Sequence, residues 1–274
     1  MSIRQFLPSL KKILLYVLLF LFLTPFLLII MNSFKSTQQF VENPLSLPTG
    51  IQLDNYVSAF DNMNFLDGFL NSLLITVGSV LLILFFSSMT GYLFVRFKWR
   101  VNGILFYAML ASLALPFQVL MIPLVMLYGN MSLLDSKITL LFMYLGFGVP
   151  FGVFTFHGFI KGIPYELEES AFIEGSSRMR TFFQIVLPLL RPVFVTLIVL
   201  DVLWIWNDYL LPSLVLLSPE HKTLPLSTYN FFSSYSVDYA PLMAGLIMTI
   251  IPVLIMYLLL QKQIIKGITE GALK

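Results

Sequence analysis

Six stretches of this chain stay apolar for the length of a bilayer crossing, at about 13–31, 70–94, 102–127, 138–160, 187–216 and 241–261. A helix needs about 20 mainly apolar residues to cross the hydrocarbon layer. Only helices satisfy their own backbone in single runs of that kind, and no ten-residue alternating strands of a barrel are present. The pattern therefore predicts an all-α, polytopic protein with six transmembrane helices. The first run has the basic start of a signal peptide, Lys11-Lys12, but it is too long. It also ends in "IIMN" with no small-x-small cleavage site, so it reads as a retained anchor.

The polar stretches between these runs set the orientation. Of 16 Lys and Arg residues, Lys35, Lys137 and Lys222 fall on one side and the other thirteen on the side of the termini. By the positive-inside rule both termini are cytoplasmic. The organisation is then 1–31, cytoplasmic N-terminus and anchor; 32–69, outer loop; 70–261, core of five helices; and 262–274, cytoplasmic tail. Within the outer loop "LDNYVSAFDNMNFLDGF" alternates acidic and aromatic residues, as suits an interfacial amphipathic helix. A second outer loop, about 217–240, is rich in Tyr and Ser. It reads equally as a binding loop or as an aromatic interface belt.

Composition excludes several function classes. The chain of 274 residues is 58% hydrophobic and 11% charged, against about a quarter charged in soluble domains. Cysteine is absent and the only histidines are His157 and His221, which leaves no basis for a disulfide, thiolate or histidine metal centre. No P-loop pattern occurs, and no nucleophile–base constellation suggests a membrane enzyme. Catalytic and metal-binding residues are thus expected to be none, and nothing points to nucleic acid.

Pro25, Pro116, Pro123, Pro150, Pro212 and Pro252 fall within the runs and predict kinks. Gly148 and Gly152 form a G-x-x-x-G that fits close helix packing or a hinge. In "LDVLWIWNDYLLP", Asp201, Trp204 and Asp208 are spaced i, i+3, i+7 on one predicted helix face, with Asn207 beside it. Carboxylates at membrane depth commonly face a polar path, and an indole beside them suits a sugar ring. The alternative is that Asp208 lies hydrated at the outer interface.

"YELEESAFIEGSSRMRTFFQIVLPLLRP", Tyr165 to Pro192, is a charged island with four Glu and three Arg. Pro164 and the early glutamates suit a helix N-terminus, and Gly175-Ser176-Ser177 suits a turn into a second helix. Glutamates disfavour an acidic membrane surface, so the island reads as a dock for another protein.

The spacing of Glu169-Ser170-Ala171, Gly175, Ile185 and Leu187-Pro188 resembles the E-A-A…G…I-x-L-P loop of binding-protein-dependent ABC importer permeases. "NSLLITVGSVLLILFFSSMTGYLFVRFKWR", "LPFQVLMIPLVMLYGNMSLLDS", "PFGVFTFHGFIKGIPYELEE", "WNDYLLPSLVL" and the tail "GITEGALK" are similar to its sugar-transporting branch, near the maltose-type second permease. Ser170 stands for the second alanine, and Glu174-Gly175-Ser176 for the usual Asp-Gly-Ala. The resemblance implies the type I importer fold in the cell membrane, with a coupling loop at 163–186. It implies ATPase-coupling roles for Glu166, Glu169, Ser170, Ala171, Gly175 and Arg178, and an ATPase-contacting tail at Gly267, Thr269 and Gly271. The implied partners are a homologous second permease as heterodimer, two copies of an ABC ATPase, an extracellular sugar-binding protein and the lipid bilayer. No cofactor would bind this chain, because ATP and Mg belong to the ATPase. The substrate would be a carbohydrate, an oligosaccharide in particular, with Asp201, Trp204, Asn207 and Asp208 along its path. A stand-alone secondary transporter or channel would instead show ionisable residues in several spans or an inverted repeat.

Overall fold

The computed structural model describes the backbone of residues 3–232 and 237–272, and side chains over 11–232, 237–259 and 261. The elements in order are α1 (Ile3–Ser33), α2 (Thr37–Glu42), α3 (Asp54–Asn62), α4 (Phe65–Arg96), α5 (Arg100–Ser112), α6 (Phe117–Asn130) and α7 (Lys137–Lys161). The charged island follows as α8 (Glu166–Ile173), α9 (Arg178–Thr181), a π-helical turn (Phe182–Val186) and α10 (Leu187–Leu189). Then come α11 (Arg191–Asn207), α12 (Leu210–Val215), α13 (Leu224–Ser227), a 3-10 turn (Thr228–Phe231) and α14 (Tyr239–Ala272). Among the described residues extended pairing is limited to one bridge, Phe232 to Val237.

Four helices can cross a bilayer unbroken: Lys11–Ser33, Phe65–Arg96, Lys137–Lys161 and Tyr239–Leu259. Two pairs make up the other spans when each is taken together. Arg100–Ser112 with Phe117–Asn130 bends by 104°, and Arg178–Leu189 with Arg191–Asn207 by 74°. The first bend falls at Pro116, one of the prolines expected to kink a helix, and the second at Leu190, outside the positions named for kinks. Pro116 sits at φ −62°, ψ 136°, outside helical space, and α6 restarts immediately after it. Proline lacks the N–H that would continue the ladder and pushes its predecessor out of the helical region. At the second bend Pro192 occupies the first turn of α11, where its missing N–H does no harm. Pro123, Pro150 and Pro252 lie inside helices that continue through them.

Two compact units are distinguished, Met1–Leu66 with Ser227–Pro252, and Asp67–Leu226 with Val253–Lys274. In the first, Lys35 organises the segment that follows α1. Its side chain is fully enclosed, and Nζ donates to the carbonyls of Asn43 at 3.1 Å and Pro44 at 3.0 Å. Burial holds its pKa below the usual lysine value. Asn55 Nδ2 donates to Ser33 O and Lys35 O, both at 2.8 Å, so α3 closes over the same turn. The segment 53–69, expected to be one amphipathic helix, folds as the nine-residue α3 followed by the first turn of α4.

In the second unit α4 and α7 pack face to face, with 44% and 39% of their most apolar stretches buried against none of α1's. Glycines permit the approach. A Cβ at Gly152 would lie 2.6 Å from Ser87 Oγ, and one at Gly91 would lie 2.9 Å from Phe156 Cβ and 3.3 Å from the His157 nitrogen. A Cβ at Gly148 would press into Ile83. The G-x-x-x-G of α7 is thus a packing seam. Ile75, Ile83, Leu140, Tyr144, Phe156 and Leu197 form the core around it.

At the end where α7 begins, Asp135 (φ 58°) accepts hydrogen bonds from the Leu217 and Ser218 nitrogens, both at 2.9 Å, and from the Ser218 hydroxyl. His221 Nδ1 lies 3.1 Å away. These bonds, the Ser218 hydroxyl first, hold the carboxyl well below the usual range. Asn71 at the start of α4 donates to the carbonyls of Glu220 and Lys222 and accepts from Lys137 Nζ at 2.5 Å. The first part of the 217–240 loop is therefore bound down.

Candidate functional site

The charged island folds as the sequence suggests, helix, glycine turn, helix. Glu166, Glu168 and Glu169 occupy the first turn of α8 with Tyr165 as N-cap, so their carboxylates meet the positive end of the helix dipole. Pro164 lies one residue before that cap, outside the first turn. The helix ends in a Schellman turn: Ser176 N donates to Ala171 O at 2.9 Å and Gly175 N to Phe172 O at 3.0 Å. That turn requires the left-handed backbone that Gly175 adopts, φ 85°. Ser177 then caps α9 through its Oγ, which accepts from Arg180 N.

The six residues singled out in this loop divide by exposure. Glu166, Glu169, Ser170, Gly175 and Arg178 face outward, whereas Ala171 is buried under α8. Arg178 lies over the Phe97 ring, 4.7 Å from its centroid. Two apolar side chains that a reading by charge passes over complete the surface: Ile173 is 87% exposed and Met179 55%. Carboxylates and bare aliphatic side chains are thus both exposed on this loop. Glu168 belongs to a different environment, enclosed between α8 and α4. Gly267, Thr269 and Gly271 lie on α14, whose backbone is helical to Ala272, and their side chains fall outside the described residues.

Asp208 does not share a helix face with Asp201 and Trp204. α11 ends at Asn207, and Asp208 is its C-cap with extended backbone, φ −70°, ψ 128°. From there Asp208 accepts from Tyr144 OH at 2.9 Å and from Leu210 N at 3.0 Å, fixing the break between α11 and α12. Trp204 packs edge-on against the same Tyr144, ring centroids 5.6 Å apart. Asn207 is exposed, its amide turned back onto Leu203 O. Asp201, one turn before Trp204 on α11, is buried, and its Oδ2 meets no hydrogen-bond donor among the described residues. The spacing failed here because the helix stops one residue before Asp208. Trp204, Tyr144 and Asp208 make one cluster, Tyr144 being the member the sequence reading missed.

This geometry separates Asn207 from Asp208 in a test of uptake. Asn207→Leu removes an exposed amide and leaves the fold intact. Asp208→Leu also unpairs the Tyr144 hydroxyl, at about 1–3 kcal/mol, and should lower the thermal stability of the purified chain. Uptake lost in Asn207→Leu at unchanged stability would mark a path-lining group. Normal uptake would leave it a bystander.

Among the described residues no group of three His, Asp or Glu side chains could hold a metal. The features together define a polytopic α-helical membrane protein with an exposed, charged helix–turn–helix loop. Residues 83–269 match the family described as binding-protein-dependent transport system inner membrane component, and the chain belongs to that family. It is 46% identical over 258 residues, 94% of both chains, to a probable starch degradation products transport system permease protein, AmyC, of Thermoanaerobacterium thermosulfurigenes. It is 35% identical to the multiple sugar-binding transport system permease protein MsmG of Streptococcus mutans, over 96% of both chains. The arabinooligosaccharides transport system permease protein AraQ of Bacillus subtilis is 34% identical, covering 93% of this chain and 91% of its own. Among solved structures, a chain of a bacterial ABC transporter involved in the import of the acidic polysaccharide alginate shares the fold, with TM-score 0.82 at 20% identity, covering 96% and 98% of the two chains.

Proposed function

We propose that this chain is one half of the translocation path of an ATP-driven importer for an oligosaccharide, and that its charged loop is the docking element for a separate ATPase. The observation that carries the substrate class is the near full-length similarity to permeases named for starch products, multiple sugars and arabinooligosaccharides. The docking role is supported by the Schellman-turned loop with Glu166, Glu169 and Ile173 outward. On this reading both termini are cytoplasmic, because thirteen of 16 basic residues fall on their side. The partners are a homologous permease, two ATPase subunits that hold ATP and Mg, and an extracellular binding protein that delivers the sugar.

Reconstitution tests this. The chain alone in liposomes should neither take up sugar nor hydrolyse ATP. With the second permease, the ATPase and the sugar-loaded binding protein, uptake of a maltodextrin or arabino-oligosaccharide should appear and depend on ATP. Uptake by the lone chain would support a stand-alone transporter instead.

A further inference from the structure

The charged loop is fastened to α4 by a buried polar knot that takes no part in the outward surface. Glu168 is fully enclosed, and both its oxygens are engaged. Oε1 accepts from Arg96 Nε at 2.6 Å and Oε2 from Tyr92 OH at 2.6 Å. Arg96 also donates from Nη2 to Ile163 O at 3.0 Å, and its guanidinium lies over the Tyr165 ring at 5.4 Å. The Tyr92 ring packs on Phe182 with centroids 5.0 Å apart, and Phe97, just beyond α4, lies under Arg178. The last turn of α4 thus holds the start of α8 on one side and α9 with its π-helical turn on the other.

Such a knot behaves unlike an apolar contact. Apolar surfaces can slide past each other with little change in free energy. A buried ion pair adds little net stability, yet separating its partners strands a charge away from water, which is strongly unfavourable. Hydrogen bonds at 2.6 Å also weaken steeply with misalignment. The knot therefore selects one placement of α8 against α4 and resists departures from it.

We infer that α8 and the adjoining end of α4 move as one rigid body during transport. Glu168, Arg96 and Tyr92 are the positioning residues, and through them α4 receives the displacement of the docking loop directly. This rests on the docking role proposed above.

The chain has no cysteine, so Leu167→Cys with Lys98→Cys, both exposed positions, can carry a pair of spin labels in the assembled transporter. Pulsed electron paramagnetic resonance should give one narrow distance, the same with and without ATP. In Glu168→Gln that distance should broaden or differ between the two states. The ATPase should stay bound, because an enclosed side chain cannot touch another protein. Sugar moved per ATP hydrolysed should fall by about two- to thirty-fold, the range expected for mutations along a coupling route. Tyr92→Phe, which keeps the ion pair and the ring packing, should show a smaller fall and decides the matter if Glu168→Gln does not fold.

A wild-type distance that changes with nucleotide in the ATPase-bound complex overturns the inference. So does an unchanged sugar-to-ATP ratio in the variants, or loss of the ATPase from them, which would make the knot a prop for the surface alone. A wild-type chain that binds no ATPase overturns the docking role itself.

Discussion

Gly175→Val should abolish sugar-coupled ATP hydrolysis by the assembled transporter while the chain still inserts and folds. A Cβ at Gly175 would meet nothing within 4 Å, so space is not the constraint. The backbone is: φ is 85°, a left-handed value that disfavours a side chain by about 1–2 kcal/mol and a β-branched one most strongly. The Schellman bonds from Ser176 and Gly175 would then break, and α9 would leave α8 in a different direction. Glu166, Glu169 and Ile173 on α8 would no longer present one surface with Arg178 and Met179. Gly175→Asn, which tolerates this conformation, should keep much of the activity. The readouts are retention of the ATPase on purification and sugar-stimulated hydrolysis in nanodiscs. Wild-type values for Gly175→Val would show that the loop is not the docking element.

Gly91→Leu and Gly152→Leu should have the largest effects on folding, because both add a side chain where two helices touch. At Gly91 the obstacle includes the backbone nitrogen of His157, which cannot swing away. At Gly152 it is Ser87, whose Oγ is tied to Ile83 O at 2.5 Å. Overpacking of this kind typically destabilises by about 1–3 kcal/mol, and more when backbone must shift. Gly146 is the control from the same helix: a Cβ there meets nothing within 4 Å. Gly146→Ala should be neutral or stabilising by about 0.5–1 kcal/mol, since alanine loses less freedom in a helix than glycine. Thermal unfolding of the detergent-purified chain, followed by size-exclusion chromatography, gives the order. A Gly152→Leu chain as stable as Gly146→Ala would show that α4 and α7 are not packed through this seam.

The spans were legible from the sequence because hydropathy over some twenty residues is a property of the chain itself. The bends were legible only in part, since Pro116 marks a kink while the apolar run continues unbroken through Leu113–Phe117 and gives no sign of a 104° turn. Pro116 carried the only local sign, and prolines of the same appearance at 123 and 150 leave their helices running. The helix–turn–helix of the charged island was legible through Gly175 and the caps, which are local chemistry. Its inner half was hidden. Glu166, Glu168 and Glu169 look alike in a first turn, and only partners at Tyr92 and Arg96, over 70 residues earlier, single out Glu168. Tyr144 was passed over for the same reason: its bond to Asp208 spans 64 residues, and periodicity sees one helix at a time.

The enclosure of Lys35 bears on how the chain is made. In the orientation proposed here this lysine must be carried across the membrane, against the usual distribution of basic residues. Its two carbonyl acceptors, on Asn43 and Pro44, follow by only eight and nine residues, so they leave the ribosome almost with it. The ammonium can therefore be capped as soon as the first outer turn emerges, long before the later helices exist. A short turn of this kind gives the segment after the first span a local reason to stay across while the remaining five spans are still being synthesised.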